Sequence, residues 1–139
     1  MLNWRPMKTV ITFGTFDLFH VGHLRLLTRA RDLGDRLVVG ISTDDLNFTK
    51  KGYRPIFSQN DRCEIVAALS VVDDTFFEES LELKGDYIKN WKAGILVMGD
   101  DWKGRFDQFK NLCEVVYLPR TQGISTTSVK EDAVKKALQ

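Results

Sequence analysis

A chain of 139 residues, 43% hydrophobic and 28% charged, has the length and composition of one globular domain, which excludes a disordered chain, a fibrous fold and a second core. Twenty Lys and Arg against nineteen Asp and Glu leave a net charge of +1. No overall field therefore steers the molecule toward nucleic acid or an anionic membrane, and any anion site must be local. Residues 1–7, with Pro6 and a second methionine at Met7, read as an N-terminal extension, and residues 8–139 as a single domain. Residues 9–13 form the first predicted strand. Leu24, Leu27 and Ala30 then mark one face of a helix that closes at Gly34, placed as a C′ glycine. Residues 37–41 read as the second strand, followed by a basic loop over residues 49–55. Ser58-Gln59-Asn60-Asp61 has capping-box spacing and starts a helix carrying Ile65, Leu69 and Val72. A shorter third strand is expected over residues 71–77, and Leu83, Tyr87 and Trp91 stripe the next helix. Residues 95–98 and 115–118 complete the strands, and a last helix begins between Ser125 and Ser128 with Val129, Ala133 and Ala137 on one side. Short, nearly continuous apolar runs alternating with amphipathic stretches are the pattern of βαβ units, so the class is α/β with a parallel sheet.

Cys63 and Cys113 are fifty residues apart with no C-x-x-C, which reads as reduced thiols in a cytoplasmic protein and not as a disulfide framework or zinc ribbon. No run approaches the ~18 apolar residues of a membrane span, and the first residues lack a signal-peptide h-region.

The chain has two histidines, and both, His20 and His23, fall in residues 14–23 directly after the first strand. Three apart at a helix start, they share one face with the unpaired amides and positive dipole end, an anion cradle. Gly22 between them allows a phosphate or nucleotide ring close to the backbone. A lone H-x-x-H lacks the further ligands of a zinc site and is no H-E-x-x-H motif. A structural pair capping the turn is the plainer alternative. Against it stand Asp17 nearby and the position at the C-terminal edge of a parallel sheet, where open α/β folds bind ligands. Walker A and G-x-G-x-x-G motifs are absent.

Residues 14–23, ending in His20-Val21-Gly22-His23, resemble the H-x-G-H signature of the nucleotidyltransferase superfamily. Residues 98–107, with Met98-Gly99-Asp100-Asp101-Trp102, and residues 119–127, with Arg120-Thr121-Gln122-Gly123-Ile124-Ser125-Thr126-Thr127, resemble the cytidylyltransferase family, most closely its branch acting on glycerol 3-phosphate. The resemblance runs from about Lys8 to Glu131. It implies a Rossmann-like three-layer α/β/α fold with a five-stranded parallel sheet in the order 3-2-1-4-5, and a homodimer. It also implies transfer of CMP from CTP to a small phosphorylated alcohol, with glycerol 3-phosphate first and another phosphoalcohol or sugar phosphate next. An adenylyltransferase would share the histidines and differ at the base-reading segment around Gly99. A silent nucleotide-binding module would keep the fold without releasing pyrophosphate.

A phosphate monoester, with a second pKa near ~6, is already a dianionic nucleophile at neutral pH, so no general base is required. The site must instead bring two polyanions together and stabilise charge on the transferring phosphoryl group. The resemblance gives His20, His23 and Arg120 that catalytic role. It gives nucleotide contacts to Thr15, Phe16, Gly22, Gly99, Asp100, Thr121, Gly123, Ile124, Ser125, Thr126 and Thr127. The last three also read as an N-cap, which is compatible with amides holding phosphate. Asp101 and Trp102 either start the next helix or touch ligand. Magnesium (Mg2+) is expected through a carboxylate and substrate phosphates, and Asp17 is either its ligand or the cap of the turn. Lys50, on the basic loop, and Lys84 match substrate-side lysines of the family. Arg62 stands in a helix first turn, where a cation opposes the dipole, so a bound anion would explain its place. The chain departs from the glycerol-phosphate pattern at Ser70, where an arginine is usual, and at Leu81, where a tryptophan is usual.

Overall fold

Five apolar runs pair into one all-parallel sheet in a computed structural model that describes residues 5–139. In chain order the elements are β1 (Thr9–Gly14), α1 (Val21–Asp32), β2 (Arg36–Ser42), α2 (Asp44–Lys51), α3 (Gln59–Ala67), β3 (Asp74–Glu78) and α4 (Lys84–Asn90). There follow β4 (Ile95–Gly99), two 3-10 turns (Asp100–Trp102 and Asp107–Asn111), β5 (Glu114–Leu118) and α5 (Thr126–Ala137). The sheet order is β3-β2-β1-β4-β5, the Rossmann-like order expected from the sequence. Side chains of β1 alternate between faces. Val10 joins Leu37, Val39, Ile41, Ile95 and Val97 beneath Leu27 and Ala30 of α1 and Val66 of α3. Ile11 and Phe13 join Leu96 and Met98 beneath Ile88 of α4 on the other face. Each fully buried Val, Leu or Ile side chain contributes roughly 1.5–3 kcal/mol, and three layers result. Because every strand is parallel, all C-terminal strand ends lie on one edge. The order reverses between β1 and β4, which opens a crevice there.

Several local expectations change. Residues 44–51 form the unforeseen helix α2, capped by Thr43, whose Oγ1 accepts the Leu46 amide at 3.1 Å, and closed by Gly52 at φ 79°. Its eight residues carry only two large apolar side chains, too few to show a stripe, so Lys50 and Lys51 end a helix instead of standing in a loop. Gly34 is not left-handed. A Cβ there would lie 2.8 Å from the Lys8 carbonyl and 2.7 Å from Val10 Cγ2, so close approach to β1 is what requires glycine. In α1, Leu24 is exposed and Leu27 and Ala30 are buried. Helix α3 stops at Ala67 and buries Arg62 and Val66, whereas Ile65 is exposed and Leu69 and Val72 pack from the turn beyond. Strand β3 consequently starts at Asp74, not 71. Ala133 and Ala137 of α5 are exposed. Residues 1–4 of the expected extension lie outside the described residues, while Arg5 within it donates to both Asp35 oxygens at 2.7 and 2.8 Å.

Candidate active site

The turn from β1 to α1 is strained and heavily braced. Phe16 (φ 54°) and Leu18 (φ 49°) are non-glycine residues in the left-handed region, at a cost on the order of 1–3 kcal/mol each. Asp17, 5% exposed, offsets this: its Oδ1 accepts the amides of Leu18 (3.1 Å) and Phe57 (2.9 Å), and its Oδ2 accepts that of Ile56 (2.8 Å). Arg62, fully buried, donates Nη1 to the carbonyls of Thr15 (2.7 Å) and Ser42 (2.9 Å), Nε to that of Phe57 (3.0 Å) and Nη2 to Asp44 Oδ1 (2.8 Å). Four of its five N–H groups are thus engaged inside the protein. Arg62 therefore does not reach substrate; internal carbonyls, not a bound anion, explain its place in the first turn of α3. Asp17 resolves the same way. Its buried oxygens already take three amides, so the turn accounts for the carboxylate without a metal. Among the described residues no group of three His, Cys, Asp or Glu is gathered to hold a metal.

His20 is the N-cap of α1, its Nδ1 accepting the Gly22 amide at 3.0 Å, while His23 Nδ1 accepts the His20 amide at 3.3 Å. The two rings stack with centroids 3.8 Å apart, and His23 also packs on Phe16 and Phe19. With each Nδ1 lone pair used, both imidazoles are neutral and carry the proton on Nε2, which leaves two N–H donors for a ligand. Burial, then His20, pushes the His23 pKa down to about 4 against the opposing charge of Asp17. Burial and the positive charge of Arg120 lower that of His20. A Cβ on Gly22 would lie 2.8 Å from His20 Cε1 and 3.3 Å from Ile124 Cγ2, so its bare backbone makes room for the His20 ring and Ile124.

These groups open on a cleft of about 800 Å³ at the C-terminal edge of the sheet. Helix α5 brings a second N-terminus to it: Ser125 and Ser128 cap reciprocally at 3.0 and 2.9 Å, and Thr126 Oγ1 donates to the Asp17 carbonyl at 3.1 Å. The amides of Thr126 and Thr127 have no intrahelical acceptor, and both residues line the cleft with Ser125, Ile124 and Thr121. Arg120 joins them, in a half-exposed ion pair with Asp101 at 2.9 Å. Thr15, Phe16 and Gly99 also line it, and no atom lies within 4 Å of a Cβ built on Gly99. Asp100 and Gly123 do not. Asp101 and Trp102 line the wall in place of Asp100, and Gly123, at φ 80°, shapes the turn before α5.

The expected acceptor lysines both line the cleft, but differently. Burial lowers the Lys50 pKa, opposed by the charge of Glu78. Lys84 is 3% exposed; its Nζ lies 2.6 Å from Glu78 Oε2 and 3.7 Å from the Phe13 ring centre. Burial lowers its pKa and the Glu78 carboxylate opposes the shift. Glu78, which sequence reasoning missed, ends β3 in the same wall; its one sequence signal is an acid at the C-terminal end of an apolar strand. Of the two departures, Leu81 lines the cleft and Ser70 is exposed outside it.

Known proteins resemble this chain over most of its length. The profile of the family described as cytidylyltransferase-like matches residues 11–132. A glycerol-3-phosphate cytidylyltransferase of Bacillus subtilis (strain 168) is 51% identical over 126 residues, 91% of this chain and 97% of that protein. One of Staphylococcus aureus (strain NCTC 8325 / PS 47) is 43% identical over 132 residues, 94% of this chain and 98% of that protein. Among solved structures, the lipopolysaccharide core biosynthesis protein from Thermoplasma volcanium GSS1 superposes with a TM-score of 0.73 at 26% identity, covering 84% of this chain and 100% of that one.

Proposed function

The chain belongs to the cytidylyltransferase-like family, and from that premise we propose that it transfers CMP from CTP to glycerol 3-phosphate, giving CDP-glycerol and pyrophosphate. The observation that carries this reading is the convergence of two helix N-termini and two imidazole Nε2–H donors on one cleft that also holds Lys50 and Lys84. A phosphate oxygen of the acceptor attacks the α-phosphorus, the bond from that phosphorus to the bridging oxygen breaks, and pyrophosphate leaves with the electron pair. The acceptor is already dianionic, so no residue has to remove a proton. His20 and His23 donate from Nε2 to the oxygens where charge builds, and the amides of Thr126 and Thr127 do the same from α5. Arg120 exchanges its half-exposed contact with Asp101 for departing phosphate oxygens, which can accept from its planar fork bidentately. Lys50 and Lys84 hold the acceptor end.

Asp17 is committed to the turn, so magnesium would be carried by the triphosphate and would supply positive charge to the transferring phosphoryl group. Action in the cytoplasm is supported by two highly charged substrates that do not cross a bilayer. A homodimer rests on the family resemblance.

The test is pyrophosphate release from each of the four nucleoside triphosphates with glycerol 3-phosphate, with magnesium and with excess EDTA. Release with CTP, abolished by EDTA, is expected. Faster release with ATP would overturn the base assignment, no release with any triphosphate would overturn glycerol 3-phosphate as the acceptor, and no release with other phosphoalcohols or sugar phosphates either would leave a silent nucleotide-binding module.

A further inference from the structure

The wall of the cleft contains one carboxylate that phosphate chemistry does not call for. Glu78 stands two residues beyond Phe76 at the end of β3, so both side chains leave the same face of the sheet. On that face Phe76 meets Phe13 edge-on, ring centroids 5.7 Å apart, and Lys84 lies over Phe13. The side chains of Glu78 and Lys84 are 3% and 4% exposed, yet both residues line the cleft, so the little that is open faces what binds there. Glu78 Oε2 is occupied by the Lys84 ammonium. Oε1 has no protein donor, and among the described residues no sealed side-chain oxygen lacks a partner, so Oε1 is the part left open to the cleft.

A bare carboxylate oxygen accepts hydrogen bonds only, and it repels phosphate. Burying it is unfavourable, and the lysine offsets that. Lys84 already neutralises it and Lys50 adds a second positive charge nearby, which disfavours an acceptor with a cationic head group. The pocket thus suits a molecule with a phosphate at one end and neutral hydroxyl donors a few bonds away. We infer that Glu78 is a specificity-determining residue that reads the free hydroxyl groups of the acceptor, accepting at Oε1 while Lys84 holds Oε2 in place. This rests on the acceptor being a small phosphorylated polyol, as proposed above.

The experiment compares kcat/KM for glycerol 3-phosphate and for propyl phosphate, the same three carbons without hydroxyls, in the wild-type enzyme and in the isosteric Glu78→Gln variant at saturating CTP. Thermal unfolding checks that the variant is folded. Wild type is expected to prefer glycerol 3-phosphate, and Glu78→Gln to lower that preference at least ~10-fold through the KM of glycerol 3-phosphate, since hydrogen bonds to charged acceptors are stronger than to neutral ones. The KM for CTP is expected to stay near that of wild type. An unchanged preference in a folded Glu78→Gln overturns the assignment and makes Glu78 only the counter-charge of Lys84. If the variant does not fold, equal kcat/KM for the two phosphates in wild type overturns it as well. Absence of wild-type turnover with glycerol 3-phosphate instead overturns the proposed function, and this assignment with it.

Discussion

His20 carries two roles on one ring, and the two can be separated. Its Nδ1 caps α1 through the Gly22 amide, and its Nε2–H is free for phosphate. Asparagine is a favoured N-cap but has no group at the position of Nε2. His20→Asn is therefore expected to melt close to wild type while its single-turnover rate falls at least ~10²-fold, the usual cost of one preorganised donor. His20→Ala should lose about 1 kcal/mol of stability in addition. Matching losses of stability and rate in His20→Asn would make the ring a cap and nothing more. At Lys84 the same separation is not available by truncation, because removing the ammonium strands a buried Glu78 carboxylate and weakens the fold together with acceptor binding.

The β1–α1 turn works as an element because residues from three others hold it. Asp17 collects amides from the segment before α3, Arg62 of α3 ties Thr15 to the end of β2, and Thr126 of α5 bonds the Asp17 carbonyl. Asp17→Asn replaces one accepting oxygen by a donor facing an amide. Urea unfolding should then show a loss of about 1–3 kcal/mol. The magnesium concentration giving half-maximal activity should not move, since the carboxylate is not a ligand. A tenfold rise in that concentration with stability intact would return Asp17 to the metal. Helix α2 shows the limit of pattern at this scale: its Thr43 cap and Gly52 close are ordinary signals, but two apolar positions in eight residues give no periodicity to connect them.

At the scale of the whole molecule, the buried neutral His23 links the site to global stability. Its ordinary pKa of 6.5 applies in the unfolded chain and about 4 in the folded one. As pH falls from 6.5 to 4 the unfolded chain takes up a proton that the folded chain refuses, so stability declines across that window. His23→Gln should flatten this part of the pH dependence of Tm relative to wild type, and parallel curves would show that His23 does not contribute. What the sequence by itself determined is what depends on neighbouring residues: five apolar runs, the strand-to-helix turn with both histidines, and the Ser125 cap that opens α5. Apolar period and capping chemistry are local, and a parallel sheet puts all of its turns of this kind on one edge. The direction in which a charged side chain works was decided only by tertiary structure. Arg62 reads as an anion ligand until Thr15, 47 residues away, supplies a carbonyl, and Asp17 reads as a metal ligand until the amides of Ile56 and Phe57 arrive. Glu78 is an ordinary strand-end acid until Lys84 lies against it in the wall of the cleft. A polar group serves a ligand only with the hydrogen-bonding capacity that the fold leaves unused, and distant segments of the chain determine how much remains.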